Sequence, residues 1–265
     1  MRRVLCFLAT VLTVAPAADS GQPHAHEGIL AGFERQRPSR AGFHLDAAGE
    51  ARLASGEPVV KIESCGRNAV RTKTIIQVAT PPEYVWDVVL DFASYPRRVH
   101  GISACHVYDK AWNLRGVQVV KATYEAKVGA FKLQYFLEHV YEPLRSSMTW
   151  RLDYARRSDL DDNVGYWHVV PTDGGTGSRV FYATETVFPP WVPGPVKMAF
   201  ARVAMGRATA TLEPSCLEAM AQRGHLGSNG RRAAVRGLQD GLPDAVQRLW
   251  QKKNTAILRF MPTTK

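Results

Sequence analysis

His168 is the first residue in this chain on which acid–base chemistry can be hung, because an imidazole titrates near neutral pH. Tyr124, Tyr154, Tyr166 and Tyr182 supply hydroxyls that could donate or relay a proton beside it. Other chemistries are poorly served. The chain has no Ser-His-Asp ordering, no Gly-rich phosphate loop, no HExxH pair and no two carboxylates that strand alternation would converge. His24-x-His26 lacks further ligands at metal spacing, and Cys65, Cys105 and Cys216 lack CxxC spacing. Asp159, Asp161 and Asp162 with Asn163 lack the glycine and distal glutamate of a calcium loop, so a solvated turn is expected there. No metal or cofactor is expected. What remains is one histidine, a weak catalytic candidate, among a surplus of aromatic and flexible side chains: Tyr124, Trp150, Tyr154, Tyr166, Trp167, His168 and Tyr182, with Met198 and Met205. That set suits a large apolar guest better than bond breaking.

The elements that must position these residues are legible from periodicity. Val85, Val88, Val89 and Phe92 recur at helical spacing, with Glu83, Asp87 and Asp91 on a separate polar strip. Thr80 is placed to cap this helix, with Pro81 in its first turn and Glu83 completing a capping box. Pro96 disfavours a helical Tyr95, so the helix should stop near Ala93, and Ser94 should cap one further short turn. Val70 to Val78 reads as the strand feeding it, and the apolar segment from Val59 as an extra edge strand.

Strand-like segments follow near 102–109, 116–127, 130–142, 147–155, 163–171 and 179–188, separated by turn chemistry at Gly129, Pro143, Asp161 and Asp173-Gly174-Gly175. This spacing predicts an antiparallel meander of six to seven strands in one curved sheet. Met148, Trp150, Leu152 and Tyr154 fall on one face; Tyr166 and His168 share a face of their strand and Trp167 takes the other, so not all the candidates can point inward. Phe188 to Pro195 cannot be regular structure, and Pro195 opens a long helix through Leu212 whose apolar residues surround most of its axis. Pro214 should kink or restart it.

The order of one strand, a short helix pair, an antiparallel run and one long helix resembles the StAR-related lipid-transfer superfamily, also called SRPBCC. Its polyketide cyclase/dehydrase group and the coenzyme Q binding proteins are the nearest in pattern. The resemblance is carried by Pro82, Val85, Trp86, Leu90, Asp91, Phe92, Tyr95 and Pro96, by Tyr166, Trp167, Val169 and Pro171, and by the helix after Pro195. It covers roughly residues 59–220. It implies an α+β helix-grip fold, a curved antiparallel sheet wrapped around a long C-terminal helix with a short helix pair after the first strand. It also implies a deep apolar cavity between sheet and helix, lined by Tyr124, Trp150, Tyr154, Tyr166, His168, Tyr182, Met198 and Met205. A hydrophobic small molecule such as a lipid, quinone or other isoprenoid is then the expected partner. A cyclase or dehydratase using a cavity His or Tyr is the alternative, and a non-catalytic interaction module a third.

Composition places tails around this domain. Arg2 and Arg3 precede an apolar run from Val4 to Val14 and then Ala15-Pro16-Ala17, the order of a secretory signal peptide too short to span a bilayer. Cleavage of residues 1–17 is expected, leading to the secretory pathway or outside the cell; an organelle-targeting sequence is the alternative, given Arg35, Arg37 and Arg40. Residues 18–58 read as a flexible lead-in, 59–222 as the ligand-binding domain, 223–242 as a Gly/Arg-rich linker and 243–265 as a basic amphipathic helix. From Gln222 onward nine Lys or Arg face only Asp240 and Asp244, so much of the formal charge of +10 sits in the tail. An anionic membrane surface suits such a tail, and nothing makes the domain a nucleic-acid binder.

Overall fold

The computed structural model describes residues 45–66 and 68–225, except the side chains of 203–210 and of 224–225. The expected signal peptide, most of the lead-in, the linker after His225, the tail helix and the side chain of Met205 lie outside the described residues.

Among the described residues eight strands, one more than the six to seven expected of the meander, form a single antiparallel sheet in the order β1-β2-β8-β7-β6-β5-β4-β3. They are β1 (Val59–Ser64), β2 (Ala69–Val78), β3 (Ile102–Trp112), β4 (Gln118–Val128), β5 (Phe131–Glu142), β6 (Ser147–Leu152), β7 (Asp162–Thr172) and β8 (Gly177–Val187). The eighth is β1, the extra edge strand expected from Val59, which pairs with β2 from Val59↔Ile75 to Ser64↔Val70. The helix pair consequently follows the second strand rather than the first. The arrangement is α+β and compatible with a helix-grip fold.

Among the described residues four α-helices accompany the sheet: α1 (Ala47–Ala54), α2 (Pro82–Leu90), α3 (Tyr95–Arg98) and α4 (Gly194–His225). Residues 47–54 depart from the expected lead-in. Asp46 accepts a hydrogen bond from the Gly49 amide at 2.7 Å, capping α1, and Leu53 is 1% exposed. One buried leucine escapes a periodicity test over so short a span. Helix α2 begins one residue later than its capping signals suggest. Pro81 occupies the cap position with no side-chain bond and Pro82 the first turn, so the Thr80/Glu83 capping box does not form. The Thr80 carbonyl instead accepts from Ser178 Oγ at 2.7 Å. Helix α4 runs through Pro214 without interruption.

The core has two parts. Val85, Val88 and Val89 of α2 pack with Leu212 and Cys216 of α4 against Val120, Met148, Leu152 and Val180 of the sheet. Under the start of α4, Phe200 packs with Val70, Leu133, Leu160, Phe188 and Val192. Each fully buried Val, Leu or Phe contributes about 1.5–3 kcal/mol, so α2 and α4 are held mainly by these contacts. Among the described residues no helix is long and apolar enough to cross a membrane.

Candidate functional site

Strand register sorts the sequence candidates by face. In β4 Gln118, Val120, Ala122, Tyr124 and Ala126 are buried in strict alternation. Tyr124 pairs with Tyr135, Trp150 with His139 and Gly165, and Trp167 with Met148 and Tyr182. These pairings align one inward face across β4 to β8. Between that face and helices α2 and α4 lies a cavity of about 190 Å³, whose lining includes Val88, Tyr124, Leu137, His139, Trp150 and Leu212. A second chamber of about 90 Å³ continues toward Val70, Leu160 and Phe200. Both share lining residues with an outer bowl of about 430 Å³ bordered by Arg97, Arg98, His100 and Lys127.

Tyr124, Trp150 and Tyr182 line the larger chamber, and so does Trp167. Tyr166 and His168 do not, because they occupy the alternate positions of β7. Tyr166 pairs with Thr149 and Ala183, and His168 with Ser147 and Phe181, on the opposite face of the sheet. His168 is half-buried there, and burial lowers its pKa. Tyr154 lies beyond the end of β6. Asp153 turns the chain by accepting from the Ala155 amide, and the Tyr154 hydroxyl donates to Asp162 Oδ1 at 2.9 Å, away from the hollow. Met198 packs with the cluster around Phe188 and Phe200 and lines neither chamber.

The acidic turn is not the solvated one expected. Asp162 is fully buried, receiving Tyr154 and the Asn163 amide, and Asp159 accepts from the Gln134 amide at 2.7 Å. Among the described residues no group of three or more His, Cys, Asp or Glu could hold a metal ion.

The residue that sequence reasoning passed over is His139. Alternation along β5 runs Leu133, Tyr135, Leu137 and onward to His139 and Tyr141, so extending the apolar face by one step would have found it. His139 is 3% exposed; its Nδ1 lies 3.1 Å from the Val120 carbonyl and its Nε2 3.1 Å from the Tyr124 hydroxyl. The carbonyl can only accept, so Nδ1 carries the proton and Nε2 accepts from Tyr124. Burial pushes the imidazole pKa down to about 4 and raises the Tyr124 hydroxyl well above its ordinary range. Tyr124 stacks on Tyr135 with centroids 5.4 Å apart, and Phe92 meets the His139 ring edge-on at 4.9 Å. Both members of this pair are neutral at neutral pH. It is a fixed hydrogen-bonding spot in an aromatic wall.

A second polar element lies on β6, β7 and β8, and Arg98, Thr211 and Ser215 also line the larger chamber. Trp150 Nε1 donates to Asn163 Oδ1 at 2.8 Å, and Asn163 Nδ2 donates to Thr186 Oγ1 at 2.7 Å. The remaining described lining is mostly apolar, and such an enclosure binds by burial of hydrocarbon with a few orienting contacts.

Comparison with known proteins gives one family match. Residues 69–221 match the family described as polyketide cyclase / dehydrase and lipid transport. No curated protein matches the chain. Among solved structures, a START superfamily protein from Mycobacterium smegmatis is similar at 17% identity and a TM-score of 0.46, over 56% of this chain and 97% of that one. A STAR-related lipid transfer protein from Xanthomonas axonopodis shows 14% identity and a TM-score of 0.44, over 65% and 96%. The Zhui aromatase/cyclase from Streptomyces sp. R1128 shows 15% identity and a TM-score of 0.38, over 63% and 96%.

Proposed function

The chain belongs to the polyketide cyclase/dehydrase and lipid transport family, and from that premise we propose that it binds and carries a hydrophobic small molecule in the hollow between sheet and α4. The observation that carries the reading is the hollow itself, walled by Tyr124, Trp150, Trp167 and Tyr182 and closed by Val88, Val89 and Leu212. Each buried CH₂ of a guest contributes about 0.8 kcal/mol, so affinity needs few polar contacts. Size narrows the guest. Chambers of about 190 and 90 Å³ are small beside the roughly 300–1,000 Å³ of drug-sized sites, so a compact ring system or a single chain fits better than a two-chain lipid. A quinone or other isoprenoid head, or one acyl chain, is of that kind.

The test is mass spectrometry of solvent extracts from natively purified protein, followed by equilibrium binding of oleate and of a short-chain isoprenoid quinone. The expected result is a near-stoichiometric apolar compound, or saturable binding of one of the two. Protein that carries nothing and binds neither would overturn the reading.

A cyclase-type enzyme is a second reading, favoured by one observation, the Tyr124–His139 pair facing the hollow. Its electrostatics weigh against it. A base with a pKa near 4 beside a hydroxyl raised above its ordinary range holds its proton poorly placed for transfer at neutral pH. Turnover of an aromatic polyketide-type substrate that is abolished in Tyr124→Phe would restore this reading.

The proposal extends to the ends of the chain. Residues 1–17 would be removed during export, and the basic residues beyond Gln222 would contact anionic membrane, supported by their charge. N-terminal sequencing of the secreted protein, and liposome sedimentation with and without residues 226–265, test these two points.

A further inference from the structure

The two chambers meet at a waist, where Tyr135, Asn163, Thr184 and Thr186 line both. Thr72 lines the smaller chamber beside it. Register explains the gathering: Thr72 pairs with Thr184, and Asn163 pairs with Thr186, so β2, β8 and β7 bring three hydroxyls and a carboxamide onto one inward face. An inward face of a sheet is ordinarily filled with aliphatic side chains, because a buried hydroxyl without a partner costs about 1–3 kcal/mol.

The hydrogen bonds at the waist are not all used up. Asn163 is committed on both sides, accepting from Trp150 and donating to Thr186. The Thr184 hydroxyl donates to the Val164 carbonyl at 3.1 Å. Thr186 Oγ1 receives the Asn163 amide, but its own hydrogen has no acceptor among the described residues. Thr72 Oγ1, in a residue 1% exposed, makes no side-chain hydrogen bond among them either. Next along the same face of β2, Thr74 Oγ1 is likewise buried without a partner. Of these, Thr72 and Thr186 border the chambers.

We propose that Thr72 and Thr186 recognise an acceptor oxygen, such as a ketone, quinone or ester carbonyl, set partway along an otherwise apolar guest. A carbonyl oxygen has two lone pairs and so can take both hydroxyls, while hydrocarbon on either side fills the two chambers. Asn163, pinned by Trp150, fixes the position of Thr186 and hence of the oxygen. The guest class is therefore oxygenated in its middle, which separates it from fatty acids and simple terpenes whose oxygen lies at one end. This inference rests on the binding reading above.

The experiment compares 2-acetylnaphthalene with 2-ethylnaphthalene, a ketone and a hydrocarbon of nearly equal size, by isothermal titration calorimetry. The proteins are the full chain and its Thr72→Val, Thr186→Val and double variants, nearly isosteric replacements that cannot donate. The wild type is expected to bind the ketone about tenfold more tightly than the hydrocarbon, the worth of one to two net hydrogen bonds. The double variant is expected to lose that preference while holding the hydrocarbon as well or better. Because the readout is a ratio between two ligands on one folded sample, the single variants serve if the double one fails to fold. An unchanged ketone preference in the variants, or equal binding of both compounds by the wild type, overturns the inference and leaves the binding reading intact. Binding of neither compound by the wild type also overturns the inference, and the oleate and quinone titrations then decide the binding reading separately.

Discussion

The Trp150 indole occupies the space that a side chain at Gly165 would fill: a Cβ there would stand 2.0 Å from Trp150 Cζ2 and 2.3 Å from Cε2. The two residues pair across β6 and β7, so the glycine is what lets a large ring lie against the sheet and still reach Asn163. Gly165→Ala is expected to drive the indole off this seat, break the Trp150–Asn163 bond and cost about 1–3 kcal/mol. Urea denaturation measures the loss. Adding Trp150→Ala should recover only part of it beyond that substitution's own cost, because the Ala183 carbonyl oxygen would also stand 2.7 Å from the new methyl. Unchanged stability in Gly165→Ala would show that this wall of the hollow is loosely packed.

His139 makes folding stability depend on pH with a definite sign. Its folded pKa is lowered to about 4 from 6.5, so below 6.5 the unfolded chain takes up a proton that the folded chain refuses. The contribution is complete above the unfolded value and is lost as pH falls toward 4, amounting to roughly 2 kcal/mol between pH 7 and pH 5. Asp87 acts in the opposite direction over part of this range, since burial holds its carboxyl up to about 6. The His139 term is therefore read as the difference between wild type and His139→Gln in urea titrations at pH 7 and pH 5. The variant is expected to lose less stability on acidification than the wild type; equal losses would mean the imidazole is not held neutral.

Much of the scaffold is written in short-range patterns, but which face of the sheet turns inward is not. Phe92 and Pro96 mark the helix pair because proline and helical spacing act over one or two turns, although Tyr95, expected outside a helix because it precedes Pro96, opens α3 in helical conformation. The placement of Tyr166 and His168 is a different matter. Period two divides a strand into two faces but assigns neither to the core, and on β7 both faces carry aromatic residues. Only the cross-strand pairing of Trp167 with Met148 and Tyr182 decides it. Tyr154 leaves the face for a local reason, because β6 ends at Leu152 and Asp153 turns the chain before the alternation reaches it. The polar waist needs three strands in register, β2, β7 and β8, which are far apart in sequence. No single stretch shows it.

Lys197 is a test of whether α4 is pinned to the sheet at its start. Its side chain is buried, and Nζ donates to Asn68 Oδ1 at 2.7 Å, across the turn between β1 and β2. Asn68 itself has φ +65°, a conformation that asparagine and glycine tolerate and alanine resists. Asn68→Gly keeps the backbone and removes only the acceptor, so its cost should be about 1–3 kcal/mol for a lost bond to a charged group. Asn68→Ala should cost about 1–2 kcal/mol more through the backbone. Chemical denaturation of the two variants separates the terms, and equal stability of both would deny the strain.

At its other end α4 is held to α2 by an ion pair between Arg223 and Asp87, with the guanidinium also lying over the Tyr84 ring at 5.2 Å. The partners' side chains are only 13% and 18% exposed, so removing one strands the other in a poor solvent. Arg223→Met is expected to destabilise by about 1–3 kcal/mol at pH 8, less than for a wholly buried pair. At pH 5 the penalty should shrink, because a carboxyl raised to about 6 is already largely protonated there and no longer needs its cation. Replacing both partners, as Asp87→Leu with Arg223→Met, should restore most of the loss at pH 8, since apolar contact then fills the gap between the helices. Urea titrations of the three proteins at the two pH values decide it. An Arg223→Met penalty that is the same at pH 5 and pH 8 would mean that the arginine holds α4 by its contact with Tyr84 and not by its charge.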